Sequence, residues 1–244
     1  MTKIKIIKKG SDYKVIYKPP FILSEDISPL ICHRLDYETS GLILVAKTKK
    51  AQKFYQNQFK KREIKKKYMA LVLGQFPEEK NVEGFIARDK NKPFRFESIL
   101  TDNQGVRDNN QKNSEFQISN SSLDHRTYRI FGKKARWSKT HFKLLAIKPI
   151  KIFKEKKYQD FNFVSLVGAS PFTGRRHQIR IHLAHLGYPI LGDKTYNTKM
   201  SRKAAKNLAI PHLQLLAVEL KFKDSFFQLI NIKLKPADWL KKWF

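Results

Sequence analysis

The segment HRLDYETSGLILVAKT, residues 33–48, places a polar loop directly before an apolar run. The run GLILVA at 41–46 is short and unbroken, which is typical of a buried strand. Thr48 follows as an N-cap, and apolar residues then recur at helical spacing, so the sequence predicts an amphipathic helix over 49–62. The loop carries Asp36 beside Arg34, and that carboxylate is the first candidate for chemistry.

Alternating and apolar patterns on either side of this segment predict further strands. A second helix is predicted to begin after Thr173 and to end at Gly187, a natural C-cap. Residues 102–125 are rich in Asn, Ser, Asp and Gln, which favours a long, mobile surface insertion. Strands outnumber helices in a mixed order, so we expect an α+β class with a largely antiparallel sheet, in a single domain over 1–244. The remaining predicted strands cover 13–18, 68–73, 140–147 and 161–167, and a closing hairpin covers 215–234.

The composition favours a polyanionic partner. Lys and Arg number 50 against 21 Asp and Glu, a formal charge of +29. RNA or DNA is the first expectation and an anionic membrane surface the second, while a generally basic surface without such a role stays open. Cys32 is the only cysteine, which rules out an intramolecular disulfide and suits a reducing compartment. Without an apolar signal core or a run of about 20 apolar residues, the chain is expected to be cytoplasmic and not in a membrane.

A second polar segment, TGRRHQIRIH at 173–182, puts three arginines and two histidines at the start of the predicted second helix. A helix N-terminus favours anions, and arginine adds phosphate-binding capacity. Each segment also has a plain interpretation: Asp36 as a turn residue, the arginines as a solvated basic face, the histidines as half-buried ones. Residue spacing alone therefore predicts a basic RNA-binding domain with one candidate carboxylate, and neither zinc spacing nor a glycine-rich phosphate loop accompanies it.

Taken together, these segments resemble the RluA family of pseudouridine synthases. The resemblance rests on HRLDYETSGLILVAKT and on PFTGRRHQIRIHLAHLGYPILGDKTY, and it runs in order from about residue 12 to 222. Shorter matches support it at YKPP (17–20), KKYMALVLG (66–74) and KARWSKTHFKLL (134–145). It implies the pseudouridine synthase fold, a central and mostly antiparallel mixed sheet flanked by helices and loops, with an RNA-binding cleft.

The resemblance also implies an activity and catalytic residues. It implies isomerisation of uridine in ribosomal or transfer RNA, without a metal or another cofactor. Asp36 matches the catalytic aspartate, which either attacks the ribose or assists removal of a ribose proton. Tyr68 matches a tyrosine that stacks on the target base and is a candidate proton acceptor. Arg180 matches the arginine that pairs with the aspartate, and Arg34 the arginine that replaces the extruded base.

Further residues of the same motifs are expected to contact RNA, in a chain expected to be monomeric. Many family members carry an N-terminal S4 domain, which is expected to be absent because only 35 residues precede Asp36. We hypothesise that the extra lysines of an exposed basic turn at 151–157 compensate for the absence of this RNA-binding domain. The main alternative is a non-catalytic RNA-binding or RNA-folding protein on the same fold, and a DNA-binding protein is a third. The predicted RNA contacts are His33, Thr39, Arg175, His177, Lys65, Lys66 and Lys67.

Overall fold

The structure, a computed structural model, describes residues 3–88, 96–102, 105–107, 119–120, 127–130 and 133–235. Its strands are β1 (Lys5–Lys9), β2 (Tyr13–Lys18), β3 (Ser40–Ala46), β4 (Lys65–Leu73), β5 (Glu79–Arg88), β6 (Phe96–Asp102), β7 (Gly105–Arg107), β8 (Ser119–Asn120), β9 (Thr127–Ile130), β10 (Lys133–Pro149), β11 (Phe163–Pro171), β12 (Leu215–Lys223) and β13 (Leu229–Lys233). Its helices are α1 (Ser24–Ile27), α2 (Lys49–Lys61), α3 (Gln178–His185) and α4 (Lys199–Asn207), with a 3₁₀ turn over Lys156–Phe161.

The described strands form one sheet in the order β1-β2-β3-β12-β4-β11-β10-β5-β6-β7. Strand β13 pairs with β12, and β9 pairs with both β8 and β10. Among the described strands, β3 and β12 are the parallel neighbours, and the other pairings are antiparallel. The prediction of an α+β fold with a largely antiparallel sheet is therefore confirmed.

Strand β3 lies in the core, directly behind the Asp36 loop. All seven of its residues are buried, as its unbroken apolar sequence predicted. Gly41 begins its parallel contact with β12 and has a φ of +122°. A Cβ at this position would lie 2.3 Å from the Ala217 carbonyl oxygen, so the close approach of the two strands requires glycine.

Helix α2 confirms the prediction made from the same segment. The Thr48 side chain accepts a hydrogen bond from the backbone N–H of Ala51, as an N-cap does. The helix ends at Lys61, and Arg62 takes a left-handed conformation with φ 62°. Tyr55 and Ala51 are buried on its inner face, so the helical spacing of the apolar residues marks the side that packs on the sheet.

Several other boundaries differ from the predictions. Strand β4 begins at Lys65, three residues early, because its basic end pairs with the charged end of β12. Helix α3 begins at Gln178 and not after Thr173, since His177 has a left-handed φ of 56° and breaks the helix there. It does stop just before Gly187, whose φ is +87°. Strand β10 extends well beyond the predicted 140–147.

Within the insertion predicted over 102–125, the structure describes the short strands β7 and β8. Its other residues after 102 lie outside the described part of the chain, so the insertion stays a prediction. Helix α4 was missed by the sequence reasoning, although Thr198 and Ser201 form a capping box that marks its start. No described helix is long and apolar enough to cross a membrane.

Candidate active site

The loop that carries Asp36 is held by hydrogen bonds from three directions. The backbone N–H of Thr39 donates to the Asp36 carbonyl at 3.0 Å, which closes a turn. On the outer side the N–H of Phe21 donates to the Tyr37 carbonyl at 2.8 Å. The hydroxyl of Ser24 exchanges hydrogen bonds with the backbone of Leu35 at 2.9 and 3.0 Å. The position of the carboxylate is therefore fixed by backbone contacts.

A fully buried lysine supports this loop from below. The ammonium of Lys18, at the end of β2, donates to the Tyr37 carbonyl at 3.2 Å and to the Pro19 carbonyl at 3.1 Å. Burial lowers the pKa of Lys18 to about 8, and the negative charge of Asp36 acts in the opposite direction. Lys18 thus places a positive charge under the loop of the candidate carboxylate.

The predicted catalytic residues lie together in one pocket. Asp36, Tyr68 and Arg180 line a cavity of about 70 Å³, although they come from a loop, from β4 and from α3. The cavity opens into a wider cleft of about 700 Å³, along which Arg176 and Glu38 also lie. The Asp36 side chain is 25% exposed, so it is accessible from the cleft. Four further predicted residues line the inner cavity: Arg34, Thr39, Arg175 and His177.

Arg180 has a different principal partner from the one predicted. It donates two hydrogen bonds to the carboxylate of Asp193, both at 2.8 Å, and a third to Thr195 at 3.1 Å. Its Nη1 lies 3.9 Å from Asp36 Oδ2, so it faces Asp36 at salt-bridge distance without a close hydrogen bond. Burial disfavours both charges of the inner pair, yet their attraction prevails, raising the pKa of Arg180 and lowering that of Asp193.

The guanidinium of Arg180 therefore serves more than one carboxylate. Its Nη2 also lies 3.5 Å from Glu38 Oε2 at the cleft side. Burial raises the pKa of Glu38, against the opposing effect of Arg180. Asp193 fixes the guanidinium through its bidentate contact, and the third nitrogen, Nη1, faces Asp36.

His177 lies on the opposite side of Asp36. Its Nε2 is 4.0 Å from Asp36 Oδ1, and its Nδ1 is 3.0 Å from the hydroxyl of Tyr196. Burial lowers the pKa of His177 to about 4, while Asp36 opposes and Arg180 reinforces that shift. The imidazole is thus neutral at pH 7, and it contacts Asp36 as a polar group and not as a cation.

Tyr68 forms the floor of the pocket. It stands on β4 opposite Ala169 of β11 and Ala217 of β12, whose small side chains leave room for its ring. The residue is buried, and burial together with the charge of Asp36 raises its pKa. The phenol is therefore protonated at neutral pH, and both roles of Tyr68, stacking on a base and accepting a proton, stay predictions.

Arg34 and Thr39 lie at the rim and the base of the pocket. Arg34 is exposed at the mouth of the pocket, and its Nε contacts Oε1 of Glu25, an exposed carboxylate, at 2.7 Å. Thr39 is buried, and its hydroxyl has no hydrogen-bond partner among the described residues.

The structure does not bring the other predicted RNA contacts to this pocket. His33 Nε2 accepts a hydrogen bond from the N–H of Leu44 at 3.0 Å, and its ring packs 4.6 Å from that of Phe59. Burial lowers its pKa to about 3, so His33 is a neutral support of the loop. The lysines at 65–67 instead line a neighbouring groove, which meets the pocket at Pro171.

Sequence reasoning missed Asp193, Glu38 and Gln178. The side-chain oxygen of Gln178 accepts hydrogen bonds from the Thr173 hydroxyl and from the backbone N–H of Arg175. Its side-chain NH₂ donates to the Lys139 carbonyl and to Thr140 Oγ1. These four hydrogen bonds shape the turn before α3. Asp193 lies within the quoted LGDKTY stretch, and a lone acid in that basic motif was a usable signal.

Comparisons with known proteins point to one family. Residues 18–185 match the family model described as RNA pseudouridylate synthase. An uncharacterized RNA pseudouridine synthase of Chloroflexus aurantiacus is 31% identical over 75% of the chain. Ribosomal large subunit pseudouridine synthase D of Borreliella burgdorferi is 31% identical over 85% of it, and an uncharacterized RNA pseudouridine synthase of Helicobacter pylori is 30% identical over 89% of it.

The matches differ in how much of each relative they cover. The chain spans 43% of the Chloroflexus protein and 49% of the Borreliella protein, about half of each, and 73% of the Helicobacter protein. The solved structure of Human RNA Pseudouridylate Synthase Domain Containing 1 superposes with a TM-score of 0.69 at 22% identity, covering 96% of this chain and 83% of the human one. That superposition shows a shared fold.

Proposed function

We propose, because this chain belongs to the RNA pseudouridylate synthase family, that it isomerises uridine in structured RNA to pseudouridine with Asp36 as its catalytic carboxylate. The observation that supports this most is the meeting of Asp36, Tyr68 and Arg180 in one pocket from three separate parts of the chain. A protein that only bound RNA would need its positive surface but not a carboxylate in the lining of a recessed pocket.

The reaction needs what this pocket supplies. The bond from uracil N1 to ribose C1′ breaks, the base turns, and C5 bonds to C1′; C5 then loses its proton and N1 gains one. Atoms and electrons balance within the nucleotide, so the chemistry requires no oxidant and no group donor. It does require a group that acts on the sugar while the base is detached, and a carboxylate does so as a nucleophile on C1′ or as a base toward a ribose proton.

Arg180 and Asp193 together leave the oxygens of Asp36 open to a substrate. A free arginine would form its best hydrogen bonds with Asp36 and block its oxygens. Because Asp193 takes both short hydrogen bonds of Arg180, the guanidinium attracts Asp36 from 3.9 Å and leaves its oxygens accessible.

The target uridine must leave its stack to reach this depth. Flipping a base costs on the order of a few kcal/mol. Stacking on the ring of Tyr68 returns about 1–3 kcal/mol, and Arg34, exposed at the mouth, is placed to enter the vacated space.

Ribosomal RNA is the first substrate class to test, since relatives from Borreliella and Vibrio are named as ribosomal large subunit pseudouridine synthases. Transfer RNA is the second. The positive charge of the chain positions an RNA backbone in either case and carries no information on the sequence around the uridine.

The test is release of tritium from transcripts labelled at uracil C5, with large-subunit ribosomal RNA and a transfer RNA mixture as substrates. We expect release by the unmodified chain, and a loss on the order of a thousandfold or more for Asp36→Asn. Filter binding should give similar dissociation constants for both, because the substitution leaves the basic surface intact. Asp26→Asn, which removes an exposed carboxylate from α1, is the matched control and should retain full activity.

Two results would count against the proposal. Full turnover by Asp36→Asn would remove this residue from the mechanism. Tight RNA binding by the unmodified chain without any tritium release from either substrate would favour a non-catalytic RNA-binding protein on the same fold.

A further inference from the structure

A second groove lies beside the Asp36 pocket, and the roles proposed above do not use it. It measures about 460 Å³ and shares Pro171 with the pocket. Its walls come from the start of β4, the middle of β10 and the end of β11. The turn that holds Arg175 also joins the two sites, because Arg175 Nε donates to the Trp137 carbonyl at 2.9 Å.

Two aromatic rings form the floor of this groove. Trp137 and Phe172 pack edge to face with centroids 6.0 Å apart, and Phe172 is 48% exposed. Trp137 is held in place by a hydrogen bond from its Nε1 to Glu83 at 2.9 Å. Phe172 is thus exposed and Trp137 is half-buried. A ring pair held by such contacts has little conformational freedom to lose on binding, which favours its use as a contact surface.

A flat cationic group already occupies the angle between the two rings. The guanidinium carbon of Arg62 lies 4.8 Å from the Phe172 centroid and 5.5 Å from the Trp137 centroid. Arg62 is the left-handed residue that ends α2, so its side chain reaches across from outside the sheet. The space between the rings therefore accepts a planar group that is stacked on an aromatic face.

The groove is also strongly basic. Four lysines line it, at positions 65, 66, 67 and 139, and none of the described lining residues is a carboxylate. Glu83 and Glu219 stand at its edges as partners of Lys139 and Lys67, and Glu79 as the partner of His141. Lys66 has no acidic partner within salt-bridge distance among the described residues, and burial lowers its pKa to about 8. A ligand here must bring negative charge.

We propose that this groove is a second nucleobase subsite, in which an unpaired base next to the target uridine stacks on Trp137 and Phe172 while its phosphates contact the lysines. The ligand must be planar, apolar on its faces and joined to anions, and single-stranded RNA has all three properties. The base enters the space now filled by the Arg62 guanidinium, which moves outward to a phosphate. This inference rests on the proposed function, since it places the base on the strand whose uridine enters the Asp36 pocket.

Trp137 itself is the probe for the test. The two other tryptophans, Trp239 and Trp243, lie outside the described residues, and replacing both with phenylalanine leaves Trp137 as the sole indole. In this background with Asp36→Asn, which prevents turnover, we would titrate an octauridylate and follow tryptophan fluorescence. We expect saturable quenching, because a stacked base quenches an indole that it contacts.

Matched variants separate stacking from charge. Phe172→Leu keeps an apolar side chain and removes one ring face, and we expect it to weaken octauridylate binding by about fivefold or more, measured by anisotropy of a labelled strand. Phe226→Leu removes a ring that is even more exposed, at 69%, from the turn between β12 and β13 and should leave the affinity unchanged. Inorganic polyphosphate of equal charge should bind without quenching.

Three results would overturn the subsite. They are unchanged affinity in Phe172→Leu, equal quenching by polyphosphate, and equal quenching by polyglutamate, which would assign the groove to an acidic protein. Tritium release distinguishes this failure from failure of the proposed function. If the unmodified chain releases tritium but the groove variants bind octauridylate normally, the proposed function stands and the second subsite is wrong.

Discussion

The Asp36 pocket and the groove beside it both use positive charge, but they hold it in opposite ways. At the pocket, Arg180 and the Lys18 beneath the Asp36 loop are almost fully buried, and each has fixed hydrogen-bond partners. In the groove, Lys65 and Lys67 of β4 are exposed, as is the ring of Phe172. The two sites are a few residues apart along β4 and β11, so one sheet carries both arrangements.

This difference separates orientation from attraction. A buried charge costs several kcal/mol to desolvate, and it is tolerated only when its partners are in place. Such a charge fixes geometry, as Arg180 does for Asp36. An exposed lysine costs little and is free to move, so it contributes affinity that salt screens. Substitutions in the pocket should therefore change stability and turnover, and substitutions in the groove should change RNA binding.

The largest effect is expected from Asp193→Asn. The side chains of Arg180 and Asp193 are 3% and 1% exposed, so removing one charge leaves the other buried and poorly compensated. Breaking such a pair costs about 3–5 kcal/mol. Urea denaturation should show this loss in the free energy of unfolding, and tritium release should fall as Arg180 turns toward Asp36.

An exposed pair provides the control for that experiment. Glu155 and Lys157 contact each other at 2.7 Å with both side chains about two-thirds exposed. Glu155→Gln should leave the unfolding midpoint unchanged. An unchanged free energy of unfolding in Asp193→Asn, as in Glu155→Gln, would show that burial of the Arg180–Asp193 pair does not stabilise the fold. The distinction between buried charges in the pocket and exposed charges in the groove would then be wrong.

A smaller effect is expected from Lys18, and it depends on pH. Its pKa is about 8 in the folded chain and near 10.5 when unfolded, so between these values the unfolded state binds more protons. Stability therefore rises with pH across this window, by on the order of 2–3 kcal/mol from Lys18 alone. Below pH 8 the cost of the buried charge is fully present, and above pH 10.5 it is gone.

The variant Lys18→Met should flatten this rise, measured as unfolding free energy from urea titrations at pH 8, 9 and 10. Lys154→Met removes an exposed lysine and should leave the slope as it is. The loop should also loosen without the hydrogen bond to Tyr37, so turnover should fall at pH 7. An unchanged slope in Lys18→Met would show that the ammonium is hydrated in the folded chain.

The sequence predicted elements well where one residue pattern determines the structure. Three patterns show this. The alternation over 13–18 predicted β2, the apolar run that ends at Ala46 predicted β3, and the helical spacing after Thr48 predicted α2. In all three, local periodicity and burial agree. It failed at α3, where a left-handed His177 delays the helix. No periodicity specifies that conformation, since glycine and asparagine are its usual residues.

The site was only partly predictable for a related reason. The resemblance assigned Asp36, Tyr68 and Arg180, and the fold brings them together. Asp193 is thirteen residues beyond Arg180, after a turn whose geometry the sequence does not state, so their pairing required the structure. Lys18 was equally hidden: lysine is usually exposed, and only the tertiary position of the Tyr37 loop gives its ammonium acceptors.

The smallest effect concerns how RNA affinity depends on salt, and it compares the groove with the basic turn at 151–157. That turn lies at the start of β11 and the groove at its end, and the strand has nine residues, which is about 27 Å along a strand. A trinucleotide bound at the pocket is long enough to reach the groove but too short to reach the turn. Lys65→Gln with Lys67→Gln should therefore lower the slope of log affinity against log salt by about 0.7 for each phosphate that the variant no longer neutralises.

Substituting Lys154, Lys156 and Lys157 with glutamine is the matched experiment on the turn, whose lysines are also exposed. With a triuridylate we expect no change in slope, although more charge is removed than in the groove variant. With a structured transcript long enough to span both surfaces, the turn should contribute a slope change of its own. Equal effects of both variants on the triuridylate would mean that RNA affinity depends on the overall charge of the chain and not on contacts in the groove.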